Sequence, residues 1–185
     1  MSDYSVISEA SKALKATLWA EFQADPDPQV ANIVGNEAGI SLLDPHRTGQ
    51  DSSLRLSLWL YRITENEHLK NQPMHAAAGL GKVPFTPLAL NLFFLVTPFA
   101  TSAESDLLLL GRTMQVFHDR AVIPLRQARP PIAEELRIVL GQLTLDELTR
   151  VWEALSEPYR LSVCYQVRVT RVDSRREIDA TRVAE

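Results

Sequence analysis

The stretch FTPLALNLFFLVTPFA, residues 85–100, is the most apolar in the chain and limits what the rest can fold into. A helix that crosses a bilayer needs about 20 apolar residues to span roughly 30 Å of hydrocarbon. Here the run reaches only from Leu88 to Val96 and includes Asn91. Pro87 and Pro98 bracket it; proline has no amide proton and restricts the residue before it. With a period of two, Leu88, Leu90, Leu92, Phe94 and Val96 share one face. Ala89, Asn91, Phe93, Leu95 and Thr97 share the other, mixed but still largely apolar. A segment of this length, apolar on both faces, suits a central strand covered by helices rather than a membrane span.

A core strand of this kind needs partners, and the chain can supply them. Its 185 residues, 45% hydrophobic, can bury a substantial core and favour one domain. The net charge of −4, with Lys and Arg spread along the sequence, argues against a nucleic-acid binder, which would carry a basic stripe. The single cysteine, Cys164, excludes an internal disulfide and fits a reducing compartment. MSDYSVISEA at the N-terminus lacks a basic region followed by an apolar one, so no secretion signal is read there. The expectation is a cytoplasmic protein with no transmembrane segment.

Val6, Ile7, Ala10, Leu14, Leu18 and Phe22 recur at intervals of three and four, an amphipathic opening helix that ADPDP at 24–28 ends. Short strands are expected at Val30–Val34 and Ile40–Leu43. Leu54, Leu56, Leu58 and Leu60 alternate with Arg55, Ser57, Trp59 and Tyr61, as in a sheet strand. Residues 65–86 have no clear period, and so long a loop inside a compact domain usually serves an interface. Thr101-x-x-Glu104 has the form of a capping box, followed by Leu107, Leu110, Met114 and Phe117 at helical spacing. Pro124, Pro130 and Pro131 exclude a continuous helix beyond Asp119. Leu136, Ile138 and Leu140 alternate again, and Thr144-x-x-Glu147 is a second capping box opening a helix through Leu148, Trp152 and Leu155. In the last strand Leu161, Val163, Tyr165, Val167 and Val169 face one way, opposite Arg160, Ser162, Gln166, Arg168 and Thr170. The whole reads as α/β or α+β, a single domain over residues 1–174 with a mixed sheet flanked by helices. The charged tail, residues 175–185, is expected to be flexible or to order on a partner.

Chemistry is harder to find. GLGKV at 79–83 imitates the end of a phosphate-binding loop, but Ala76 and Val83 stand where that loop needs Gly and Ser or Thr, so a flexible loop is the reading. His46, His68, His75 and His118 make no HxH or HExxH pattern and have no cysteine pair beside them. His68 and His75 share the long segment with Glu65 and Glu67, which leaves a small metal-dependent enzyme as one alternative. His118 ends a helix, where the dipole favours a cation. No GxSxG elbow is present. Cys164 reads as a small packed hydrophobe rather than a nucleophile. No catalytic residue, metal site or cofactor is assigned.

Five phrases, taken together in this order and spacing, resemble a known family. They are LWLYRITENEHLKNQ (58–72), PLALNLFFLVTPFA (87–100), LLLLGRTMQVFHDRAVIP (107–124), EELRIVLGQLTLDELTRVWEAL (134–155) and PYRLSVCYQVRVTRVDS (158–174). The family is the N-terminal domain of the cap, or tail-terminator, protein of contractile injection systems. These are phage-tail-like particles such as the virulence-cassette and antifeeding-prophage assemblies. The resemblance runs from the opening helix to Ser174, and longer members continue past that point.

The resemblance implies a tail-terminator fold and a structural, non-enzymatic role. Such a protein sits on the particle at the end away from the baseplate, as a ring of six that terminates inner tube and outer sheath. Its partners are then the sheath protein, the tube protein and its own copies. An adaptor that binds tube or sheath without terminating it is the alternative. Subunits in a ring need two different contact patches. The expected contacts are the loop 65–86, through Glu65, Asn66, Glu67, His68, Lys70 and Asn71, and the tail 173–185, together with Arg112, Arg168 and Arg171. Two readings stay open: the strand 160–170 is either an exposed edge ready for strand addition or an internal strand. Arg112 is either a docking group or a solvated charge, beside a Gly111 that lets its helix approach the sheet.

Overall fold

The expected core strand lies at the centre of a six-stranded mixed sheet in the computed structural model of the chain. The structure describes residues 4–66, 82–84, 88–125, 134–172 and 177–179. Strands β1 (Ile40–Ser41), β2 (Leu56–Glu65), β4 (Leu88–Pro98), β5 (Val122–Leu125), β6 (Glu134–Leu140) and β7 (Val163–Val172) form it in the order β1-β2-β4-β7-β6-β5. Among the described strands only β1 and β2 run parallel; β4 is antiparallel to both β2 and β7. A second sheet pairs β3 (Lys82–Pro84) with β8 (Glu177–Asp179). Thus the end of GLGKV is strand rather than loop, and the final charged segment returns to pair with it.

One face of the large sheet carries the core. Helices α1 (Val6–Gln23), α2 (Gln29–Val34) and α4 (Ala103–Asp119) cover it. Val6, Ala10, Leu14, Leu18 and Phe22 from α1 meet Leu92, Phe94 and Val96 of β4, Leu56 and Leu58 of β2, and Tyr165 and Val167 of β7. Leu109, Leu110, Val116 and Phe117 complete this layer from α4, Phe117 lying edge-on to Tyr165 at 4.9 Å between ring centres. Fully burying one such side chain contributes about 1.5–3 kcal/mol.

Two expectations need correction, and two points the sequence left open are decided. Val30–Val34 is the helix α2, not a strand. Pro28 opens it and Gly35, at φ 79°, closes it, while Val30 and Val34 are buried together four residues apart. Helix α4 is capped by Ser102, which accepts from Ser105 N, rather than by Thr101. Asp106 reaches back to the Ala100 N–H at 2.6 Å, and this fixes where the helix begins. The proline-rich stretch after Asp119 contains β5, because its Pro124 sits on an edge strand where no ladder bond is lost. Last, the strand expected at 160–170 is no edge: β7 is hydrogen-bonded to β4 on one side and β6 on the other. The second capping box stands as read, Thr144 and Glu147 bonding reciprocally at the start of α5 (Leu145–Ala154).

Candidate protein interface

Of the residues expected at an interface, Glu65, Asn66, Arg112 and Arg168 are described. Glu65 is exposed at the end of β2, and the buried Asn66 donates its backbone N–H to Ala89 at 2.8 Å. Glu67, His68, Lys70, Asn71 and the histidine partner His75 lie outside the described residues, as does the side chain of Arg171. Arg168 is exposed on β7.

Arg112 is engaged within the fold rather than held out in solvent. Its guanidinium turns inward from α4 to the end of α1, with Nε 2.7 Å from Asp25 Oδ2 and Nη2 donating to the Glu21 carbonyl at 3.2 Å. Nη1 is bonded to Gln115 at 2.9 Å. The side chain is only 18% exposed, so its charge is spent holding two helices together. Gly111 beside it faces open space and makes no close approach to the sheet.

The sheet face away from α1 and α4 has a different chemistry. Register places Trp59, Leu95 and Cys164 in one row across β2, β4 and β7. The next row is Arg62, Phe93, Gln166 and Val139, and the next Thr64, Asn91, Arg168 and Arg137. A bulge between Leu60 and Arg62 adds Tyr61 to this face, 6.0 Å from the Trp59 ring and 6.4 Å from the Phe93 ring. The first row is closed over. Tyr61 Oη lies 3.1 Å from the buried Cys164 Sγ, and Gly141 approaches that sulfur so closely that an added Cβ would stand 3.0 Å from it. Burial pushes the Cys164 thiol pKa up, against the hydrogen bond from Tyr61 and the charge of Arg62. Tyr61 is raised by burial first and then by the same hydrogen bond. Cys164 is therefore a protonated, packed thiol, as its sequence context implies.

Moving down the rows, the face opens. Arg62 lies 5.3 Å over the Phe93 ring, Val139 is 44% exposed, and Arg168 and Arg137 are exposed opposite each other. Sequence reasoning had only Arg168 of this group. Arg62, Phe93 and Arg137 were legible as outward positions of alternating strands, but nothing in the sequence states which of them become neighbours.

The two sheet edges also differ. Past Ser57, β2 has no strand on its outer side among the described residues, whereas the outer strand at the other end, β5, carries Pro124. A cleft of about 400 Å³ lies beside helix α3 (Pro45–Gln50), lined by His46, Phe99, Trp152, Tyr159 and Arg160. Its polar groups are already matched: His46 pairs with Glu157 and Gln50, and Arg160 sits 4.5 Å over Phe99 and 3.0 Å from Asp106. Among the described residues, no cluster of His, Cys, Asp and Glu is placed to hold a metal ion, and no helix is long and apolar enough to cross a membrane.

Residues 9–185 match the model of the Pvc16 N-terminal domain. The chain belongs to this family.

Two solved structures share its fold. The sheath/tube terminator of the extracellular contractile injection system PVC, in its extended state, aligns with a TM-score of 0.66 and 20% identity. That alignment covers 100% of this chain and 62% of the terminator. The tube-terminating cap of the anti-feeding prophage, AFP, aligns with a TM-score of 0.50 and 21% identity, over 79% of this chain and 51% of the cap. The chain thus spans less than two thirds of either protein. No curated protein matches it in sequence.

Proposed function

We propose that this Pvc16 N-terminal domain protein is a structural cap, terminating the tube and sheath of a contractile, phage-tail-like particle at the end away from the baseplate. The observation that carries the reading is the family match over residues 9–185, joined to a fold shared along the whole chain with a sheath/tube terminator. The partners are then the last sheath and tube subunits and the chain's own copies, closed as a ring of six in the cytoplasm of the producing cell. The role asks for interface shape and no catalytic step. The unequal edges fit it: past Ser57, where no described strand pairs with its outer side, β2 can join a neighbour, while Pro124 blunts the far side against further addition.

Electron microscopy of particles from cells with and without the gene tests this. The deletion is expected to give tubes and sheaths of uncontrolled length, or particles lacking their terminal disc. Unchanged length and an unchanged end structure would overturn it.

A further inference from the structure

We propose that the sheet face away from α1 and α4, where Arg137, Val139 and Arg168 are exposed, binds an acidic segment of another protein, with a carboxylate received between Arg137 and Arg168. The two arginines are direct cross-strand partners on β6 and β7. Side chains so placed have Cβ atoms about 4.5–5.5 Å apart, and like charges there are destabilising. The isolated fold does little to relieve this. Arg137 has Glu135 at 4.0 Å, but both side chains are more than half exposed, and such a pair is worth little. Arg168 makes no ion pair among the described residues. A third cation, Arg62, stands over Phe93 on the neighbouring row, with Glu147 close enough to feel its charge.

A carboxylate between the two guanidiniums converts the repulsion into two charge-assisted hydrogen bonds of the forked kind that arginine favours. Phe93, Tyr61 and Val139 provide the apolar ledge on which the rest of such a segment lies, the mixture of arginine and aromatic rings enriched at protein interfaces. The acid comes from a different protein, because much of this chain's own supply is engaged. Asp25 and Glu21 hold Arg112 and Arg120, Asp106 holds Arg160, Glu157 holds His46, and Glu147 caps α5. Nucleic acid fits less well. The net charge is −4, and the rings of Tyr61 and Phe93 meet edge-on instead of lying open as stacking platforms.

The inference goes beyond the cap reading and is tested separately from it. The full chain is titrated at low salt against a fluorescent peptide of about seven glutamates, read by anisotropy, beside a lysine peptide and a thymidine oligonucleotide of similar charge number. The glutamate peptide alone is expected to bind, weakening as salt rises and the Debye length shrinks. Arg137→Gln with Arg168→Gln should weaken it by about tenfold or more, the scale of one lost charge-assisted pair. Lys12→Gln with Arg47→Gln, exposed cations on α1 and α3 outside these rows, should leave it unchanged. Melting curves check that each variant is folded; if the double variant is not, Arg168→Lys keeps the charge, loses the fork, and should still weaken binding.

Absence of saturable glutamate binding, or binding equal in all variants, overturns the proposal. So does tighter oligonucleotide binding through the same arginines, which makes the face a nucleic-acid surface. Self-association lost in the double variant would instead assign the acid to a second copy. The deletion experiment above reads termination and this titration reads the face, so either can fail alone.

Discussion

The two faces of the large sheet are built from the same strands and obey different rules. On the covered face Leu92, Phe94, Val96, Leu58 and Val167 are fully buried under α1 and α4. On the other face the same strands carry Phe93, Asn91, Arg62, Gln166 and Arg168, and burial falls from row to row. Alternation along a strand separates the faces, but helices decide which of them becomes a core. The covered face holds the fold together; the other tolerates opposed charges because water reaches them. Stability and surface function are thus divided between alternate residues of one strand.

Substitutions that differ by a single position test this division. Phe94→Ala should destabilise the protein by about 3–5 kcal/mol, with a fall in Tm of about 10 °C or more. Phe93→Ala, its immediate neighbour, should cost about half as much, since its ring is already part exposed. Equal losses in urea unfolding would erase the distinction between the faces. Next comes Arg112→Ala, which leaves the part-buried Asp25 without its cation and should cost about 2 kcal/mol by the same measurement. Thr144→Ala, which removes the α5 capping box and touches neither face of the core, should cost about 1 kcal/mol.

Smaller still is Arg168→Ala. Relieving the opposition to Arg137 should leave stability unchanged or raise it by about 0.5 kcal/mol. A loss above about 1 kcal/mol would mean that the guanidinium supports the fold rather than facing a partner.

A further effect appears only above neutral pH. Burial pushes Tyr165 on the covered face from its ordinary 10.0 up to about 12, and raises Cys164 above its ordinary 9.0. The unfolded chain therefore loses these protons first as pH rises. Stability is complete below about pH 8, where neither state has ionised, and falls as pH rises through the range up to about pH 12. Tyr165→Phe keeps the ring against Phe117 and should lose less stability between those limits, followed by denaturant midpoints at each pH. A slope unchanged by this substitution would place the alkaline sensitivity elsewhere.

How much of this was legible beforehand follows the range of the forces involved. The opening helix, β4, β6 and the Thr144–Glu147 box are written in spacings of two, three and four residues, and the structure has them where the sequence puts them. Local signals also misled where two of them competed. QVANIV is rich in β-branched residues, yet Pro28 and Gly35 bound it, and burial of Val30 with Val34 against the core selects the helix. The expected interface residues show the limit most plainly. Arg112 reads as a surface charge because its partner Asp25 is far away in sequence, and Arg168 gains its meaning only from Arg137 on the next strand.

Five phrases of the sequence carry the resemblance to the family. The sequence by itself also determined the opening helix, the strands β4 and β6, the Thr144–Glu147 box and the central place of β4. These rest on periodicity and on short-range hydrogen bonding, which a linear string records. Only the tertiary structure decided strand order, the internal place of β7, the unequal edges and the meeting of Arg137 with Arg168. Those depend on register between distant segments. A slip of one residue moves every side chain to the opposite face, and that choice is made by the whole packed core rather than by any stretch of the chain.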